Sequence, residues 1–427
     1  MDEAAEVPKD GGNTRLRILD VYKGIAILGV IITHVVLLQN GMGGKAGDTS
    51  AIVQFLFSGL IMFMVISGYF YKPGSSFLHN VKKRVVTLLV VYFAAIVVMT
   101  SVMYLYLLII GYDLSSYDLV DVIVKVAFGK ANFVDMTSDE FFDLMQPMAP
   151  FEVTVMMYYL GILALGYLIF YAIADRVLKD WRMAVVAILI LFGITSLYME
   201  FVHIQLPLFA YYAPMVAGFL LVGALLSKVR FAEMLETGYR TRNFWLVLII
   251  ATVLSALCLL LFPAQTDVVY GRIGTGPLRV YTFAATSLSC GIVQLYVVLL
   301  FSKIPGVSHL FNDMGKNIIY LFLLHMLVAK MLIAPFVELP ADKFIPLGFM
   351  PALALAFGTI AVILVLSHVY KRIRPGLIER VSAAGRNPKA QQRCRPTRSR
   401  RRSASENARF SLRATILRGN PSPAACS

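Results

Sequence analysis

The chain has 427 residues, 58% of them hydrophobic and 15% charged, with a formal net charge of +14. That balance excludes an ordinary soluble domain and fits a protein with many membrane-spanning helices. The charge is no nucleic-acid signature, because most of the excess is gathered at one end: from Lys371 onward there are 15 Lys/Arg against Glu379 and Glu406.

About 20 apolar residues cross a bilayer as a helix. Runs of that kind are predicted at 18–38, 51–71, 85–110, 153–174, 183–200, 207–227, 244–262, 279–302, 316–336 and 345–370. The expected fold is therefore all-α, a polytopic membrane bundle of about ten helices. The polar start "DEAAEVPKDGGNT" precedes a long first run with no small-residue cleavage site, so a retained signal anchor is expected. With the N-terminus inside, the inner loops hold Lys72, Lys82, Lys83, Arg84, Arg176, Lys179, Arg182, Lys228, Arg230, Arg240, Arg242, Lys303 and Lys316. The outer loops are poor in Lys and Arg, which is the positive-inside bias. Both termini are then cytoplasmic: residues 1–17 form a short segment, 18–372 the membrane domain and 373–427 a basic, disordered tail. The tail either meets anionic headgroups or simply fixes topology.

The first span, "RLRILDVYKGIAILGVIITHVVLLQNG", carries Asp20, Lys23 and His34. Such groups at mid-membrane cost about 2.5–3.5 kcal/mol each for Asp or Lys. Lys23 and His34 are 11 residues apart, which leaves about 20° after three turns and roughly 16 Å along the axis. Both therefore leave one helix face. Asp20, three residues before Lys23, can pair with it, and both lie where snorkelling to the inner surface lowers the cost. His34 lies in the outer half. Desolvation holds its imidazole neutral, the state a general base needs. A hydrogen-bonded interhelical histidine is the equally open structural reading.

The second span ends in "FMVISGYFYKP", where Ser67, Gly68 and Tyr69 suit close helix packing. The third opens on "VKKRVVTLLVVY". Its cations Lys82, Lys83 and Arg84 suit phosphates, although orientation in the membrane also accounts for them. The longest outer loop, 111–150, sets Asp113, Asp118, Asp121, Asp135, Asp139, Glu140 and Asp143 among Phe133, Phe141 and Phe142. Carboxylates beside rings suit sugars; an interfacial helix with a solvated acidic face is the plainer reading. Glu152 and the pair Tyr158–Tyr159 open the fourth span, and "GKNIIYLFLLH" places His325 in the ninth. No P-loop, GxSxG or HExxH occurs, and "GRIGTG" lacks the strand and helix of a nucleotide fingerprint. The cysteines Cys258, Cys290, Cys394 and Cys426 have no metal or disulfide spacing.

Taken together, these motifs resemble acyltransferase family 3, a group of integral-membrane acyltransferases, and look closest to its fucose 4-O-acetylase-like and polysaccharide O-acetyltransferase branch. "LDVYKGIAILGVIITH" is similar to the family's first helix, with a basic residue, ten residues, then histidine. "FMVISGYFY" resembles its Ser-Gly-Tyr motif, and "KKRVVTLLVVYF" its basic third helix. "YYAPMVAGFLLVGALLSK" resembles its sixth helix and "GKNIIYLFLLH" its Gly-Lys-Asn-Ser…His segment, with Ile318 at the serine position. The resemblance spans about residues 15–372. It implies acyl transfer, usually of acetyl, from acetyl-CoA as co-substrate to a carbohydrate hydroxyl, in a multi-pass protein of a bacterial inner membrane. His34 carries over as the catalytic residue and Lys23 as its partner. Asp20, Ser67, Gly68, Tyr69, Lys82, Lys83, Arg84, Glu152, Tyr158 and His325 complete the candidate substrate-binding set. No metal and no nucleic acid are expected; the expected partners are acyl-CoA, a carbohydrate acceptor and membrane lipids. A transporter or flippase for a polysaccharide or lipid-linked sugar is the rival expectation. The lack of an internal repeat and of Gly/Pro-broken paired helices stands against it.

Overall fold

A computed structural model of the chain describes residues 17–40, 50–109, 111, 113–115, 118–128, 158–202, 206–231, 234, 242–261, 276–337 and 349–384. The described residues form helices and turns with no strand among them. The chain forms two compact units, Met1–Ser367 and His368–Ser427. The helices of the first unit build the site; in the second, the described residues 368–384 are helical.

The elements run α1 (Arg17–Asn40), α2 (Ser50–Tyr69), then α3, which combines Phe77–Asn80, a π-turn Val81–Val86 and Thr87–Ile109. Next come α4 (Leu119–Phe128), α5 (Tyr158–Val177), α6 (Trp181–Phe201), a 3-10 turn Pro207–Tyr212, and α7 (Ala213–Lys228). The series closes with α8 (Arg242–Leu261), α9 (Arg279–Ser302), α10 (Pro305–Lys316), α11 (Ile318–Val337) and α12 (Phe349–Ala384). Among the described residues, each of the ten expected runs overlaps a helix. Among the described residues seven helices are long and apolar enough to cross a membrane, with shorter apolar helices at Phe55–Tyr69 and Ile318–Ala329.

Burial separates an inner from an outer ring of helices. α1, α2, α7 and α9 hold the core, with Ile27, Ile31, Ile61, Phe219 and Phe283 sealed inside. α3, α6 and α8 turn apolar side chains outward, among them Val90, Val98, Ile190, Ile249 and Val253. In water such a surface would be an adhesive patch. In a bilayer it is the lipid face, since lipid tails are as apolar as the side chains themselves.

Three differences from the sequence reading follow. A helix unforeseen there, α10, precedes the ninth span. It is amphipathic and shorter than a bilayer crossing, so hydropathy over a long window misses it. It packs against α1 so closely that a Cβ on Gly24 would strike the backbone carbonyl of Phe311, and one on Gly315 that of Asp20. The outer loop contains α4, whose Val122, Val126 and Ala127 are buried and whose Ala127 carbonyl accepts from Tyr92 Oη at 2.8 Å. Asp118 caps α4 by accepting from the backbone N–H of Val120 and Asp121, while Asp121 pairs with Lys125. These acids therefore serve local structure, as the plainer reading had it. Asp135, Asp139, Glu140, Asp143 and the three phenylalanines lie outside the described residues. Finally, α12 reaches Ala384, so 373–384 is helical where disorder was expected; "GLIERVSAA" is mostly helix-forming after Pro375. The tail beyond lies outside the described residues.

Candidate active site

The site is built on α1 and α11. Because α11 packs on α1, the buried imidazoles of His34 and His325 meet: His34 Nδ1 is 2.8 Å from His325 Nε2. Their rings are stacked, with centroids 5.0 Å apart and planes 21° apart. The other nitrogen of His325, Nδ1, lies 3.1 Å from the Leu321 carbonyl and 2.8 Å from that of Phe322.

These partners assign the protons. A carbonyl oxygen only accepts, so His325 Nδ1 carries hydrogen and donates to the turn behind it. A neutral imidazole has one N–H, so His325 Nε2 is the acceptor. The bond between the rings then requires the hydrogen on His34 Nδ1, and His34 Nε2 keeps its lone pair. One backbone turn thus sets the tautomer of a histidine two bonds away. In many sites the hydrogen bond made by one ring nitrogen decides in this way which nitrogen carries the proton. Sequence reasoning placed His325 in the membrane but did not join it to His34, since 291 residues separate them.

The break before α11 sets the register of His325. Asn317 is buried; its backbone N–H donates to the Asp313 and Met314 carbonyls, ending α10, and its own carbonyl accepts from Tyr320 and Leu321, starting α11. Its side chain donates to the Asp313 carbonyl at 2.8 Å and to Asp313 Oδ1 at 3.2 Å. His325 follows two turns on.

The other end of α1 carries the pair expected from i,i+3 spacing: Lys23 Nζ is 3.3 Å from Asp20 Oδ1. Asp20 is buried and Lys23 half-buried, and Nζ sits 5.5 Å from the centre of the Phe70 ring. Lys23 therefore faces the segment that follows α2. In the last turn of α2, Ser67 is hydrogen-bonded to Tyr167. Gly68 is buried, and a Cβ there would strike the Leu220 carbonyl of α7, the close-packing role its size suits. Tyr69 is half-buried with its ring edge-on to Phe70. Lys82, Lys83 and Arg84 are exposed on the π-turn. Such turns are rare and gather at functional sites.

Tyr158 and Tyr159 are buried at the start of α5. Tyr158 packs on Phe209 at 5.1 Å, and Tyr159 on Phe322 at 5.3 Å, itself 6.0 Å from His325. A small apolar cavity beside them is lined by Leu60, Ile61, Met64, Tyr158, Tyr159 and Tyr212, among others. Leu208 and Phe209 take left-handed backbone angles, φ 57° and 53°, a strained turn for residues with side chains. Glu152 lies outside the described residues. Among the described residues no group of His, Cys, Asp and Glu could hold a metal ion.

The arrangement gives a buried pair of imidazoles toward one end of α1 and the Lys23–Asp20 pair toward the other. Comparisons with curated proteins and with solved structures return no match. The sequence model of the acyltransferase domain of family 3 matches residues 16–368. That match spans α1 to α12 and includes both histidines and both ends of α1, and so the chain belongs to acyltransferase family 3 and is a membrane acyltransferase.

Proposed function

We propose that the protein moves an acetyl group from acetyl-CoA, bound from the cytoplasmic side, to a hydroxyl of a cell-surface or lipid-linked carbohydrate. The observation that carries this reading is the 2.8 Å contact of His34 Nδ1 with His325 Nε2, which leaves His34 Nε2 as the acceptor. The coenzyme supplies a thioester carbonyl and a thiolate leaving group. His34 Nε2 takes the proton of the acceptor hydroxyl as its oxygen bonds to that carbonyl carbon; the C–S bond breaks and the proton passes to the departing sulfur. His325 accepts from His34 Nδ1–H throughout and steadies the imidazolium by keeping that bond. A general base contributes about 10²–10⁴-fold.

Sidedness follows from the basic loops. The Lys23 end of α1 lies with Lys72, Lys82, Lys83 and Arg84, the cations that the positive-inside bias assigns to the cytoplasm. His34 is then nearer the outer surface, where the acceptor waits. Lys23, held by Asp20 and covered by Phe70, lines the route between. The test is a comparison of O-acetyl groups on surface glycans by NMR, with and without the gene for this chain. The reading expects one set of acetyl signals to disappear; identical spectra, with glycan export unchanged, would refute it. Loss of the glycan itself from the surface would point to the transporter.

A further inference from the structure

The cytoplasmic mouth holds more than the thioester needs. Lys72, Lys82, Lys83 and Arg84 are exposed, and among the described residues no carboxylate pairs with them. Beside them, two chain segments are tied together. Tyr71 Oη donates to Asp175 Oδ1 at 2.6 Å, and the Gly74 N–H reaches the same oxygen at 3.3 Å. Gly74 has φ +83°, a conformation that glycine adopts without strain. Asp175 thus pins the turn after α2 onto the end of α5.

The pinned turn meets a run of rings. Tyr71 stands edge-on to Phe170 at 5.0 Å and 6.2 Å from Tyr171. Tyr171 stacks on Tyr167 at 5.3 Å with planes 15° apart. Tyr167 is buried while Tyr71 and Tyr171 are half-buried, so the stack ends at the surface. The π-turn that carries Arg84 packs against α5, the helix of Tyr167 and Tyr171.

Unpaired cations select phosphate oxygens. A surface-ending aromatic stack selects a planar base, since every base has a π-face. The combination fits a nucleotide and is more than a lipid headgroup, which has phosphate but no base, would use. Building on the donor reading above, we propose that Tyr171, flanked by Tyr71, seats the purine base of the donor coenzyme, with Lys82, Lys83 and Arg84 on its phosphates. Phe70, next to Tyr71 and over Lys23, directs the thioester arm onto the α1 face.

The test uses the full-length protein in detergent and two donors: acetyl-coenzyme A, and acetyl-pantetheine, which has the same thioester without base or phosphates. Tyr171→Ala raises the KM for acetyl-coenzyme A by about 5- to 100-fold, the range of a lost base–ring stack; the KM for acetyl-pantetheine does not move with it. Tyr171→Phe keeps the ring and the wild-type KM. Adenosine 3′,5′-bisphosphate competes with the donor on wild type and more weakly on Tyr171→Ala. A parallel rise for both donors, or none for either, overturns the base seat. So does displacement of the bisphosphate by phosphatidylglycerol vesicles equally from wild type and variant, which would assign the mouth to headgroups. If wild type turns over neither thioester, the donor reading itself fails.

Discussion

In the proposed mechanism His34 acts as a base because of what stands behind it. The Leu321 and Phe322 carbonyls hold the Nδ1 hydrogen of His325, and that leaves His34 one tautomer. His325→Phe keeps the bulk and removes the acceptor, so kcat should fall by about 10²-fold with little change in donor KM, within the range of general-base effects. His325→Gln can still present an amide oxygen to His34 Nδ1–H and should recover part of that loss. Equal losses in the two variants would mean that His325 merely fills space. Lys23→Met removes the cation and breaks the Asp20 pair, so donor KM rises, kcat falls, or both. An unchanged profile would reduce Lys23 to an anchor. The Lys23–Asp20 pair was legible because helix geometry sets i,i+3 contacts locally. The dyad was not, because the spacing of one helix says nothing of which distant helix it faces.

The decisive element is the joint at Asn317. It ends one helix, starts the next and so places His325 at the level of His34. Asn317→Ala removes two side-chain hydrogen bonds to Asp313, a loss of about 1–3 kcal/mol. The variant should melt at a lower temperature and lose kcat more than donor affinity, which thermal unfolding and donor titration would show; wild-type kcat would mean that the register comes from packing instead. The spanning helices themselves were legible, since long apolar runs have few alternatives in a bilayer. α10 was not, because twelve residues of mixed polarity read as a loop. The π-turn at 81–86 was equally hidden, for it depends on hydrogen-bond register and has no compositional mark.

At the scale of the whole molecule, α1 links two chemistries across the membrane: cations and rings at the Lys23 end, the imidazole pair at the other. The outer ring of lipid-facing helices encloses the imidazole pair, and the exclusion of water strengthens each hydrogen bond inside. The fold class was readable from hydropathy; the meeting of His34 with His325 became visible only once α1 and α11 were packed together. The most direct measurement is release of free coenzyme A thiol by purified protein given acetyl-CoA and a carbohydrate acceptor, for wild type and for His34→Gln. Acceptor-dependent release by wild type, reduced about 10²–10⁴-fold in a variant that elutes and melts like wild type, is the predicted result. Full activity in His34→Gln would contradict the account.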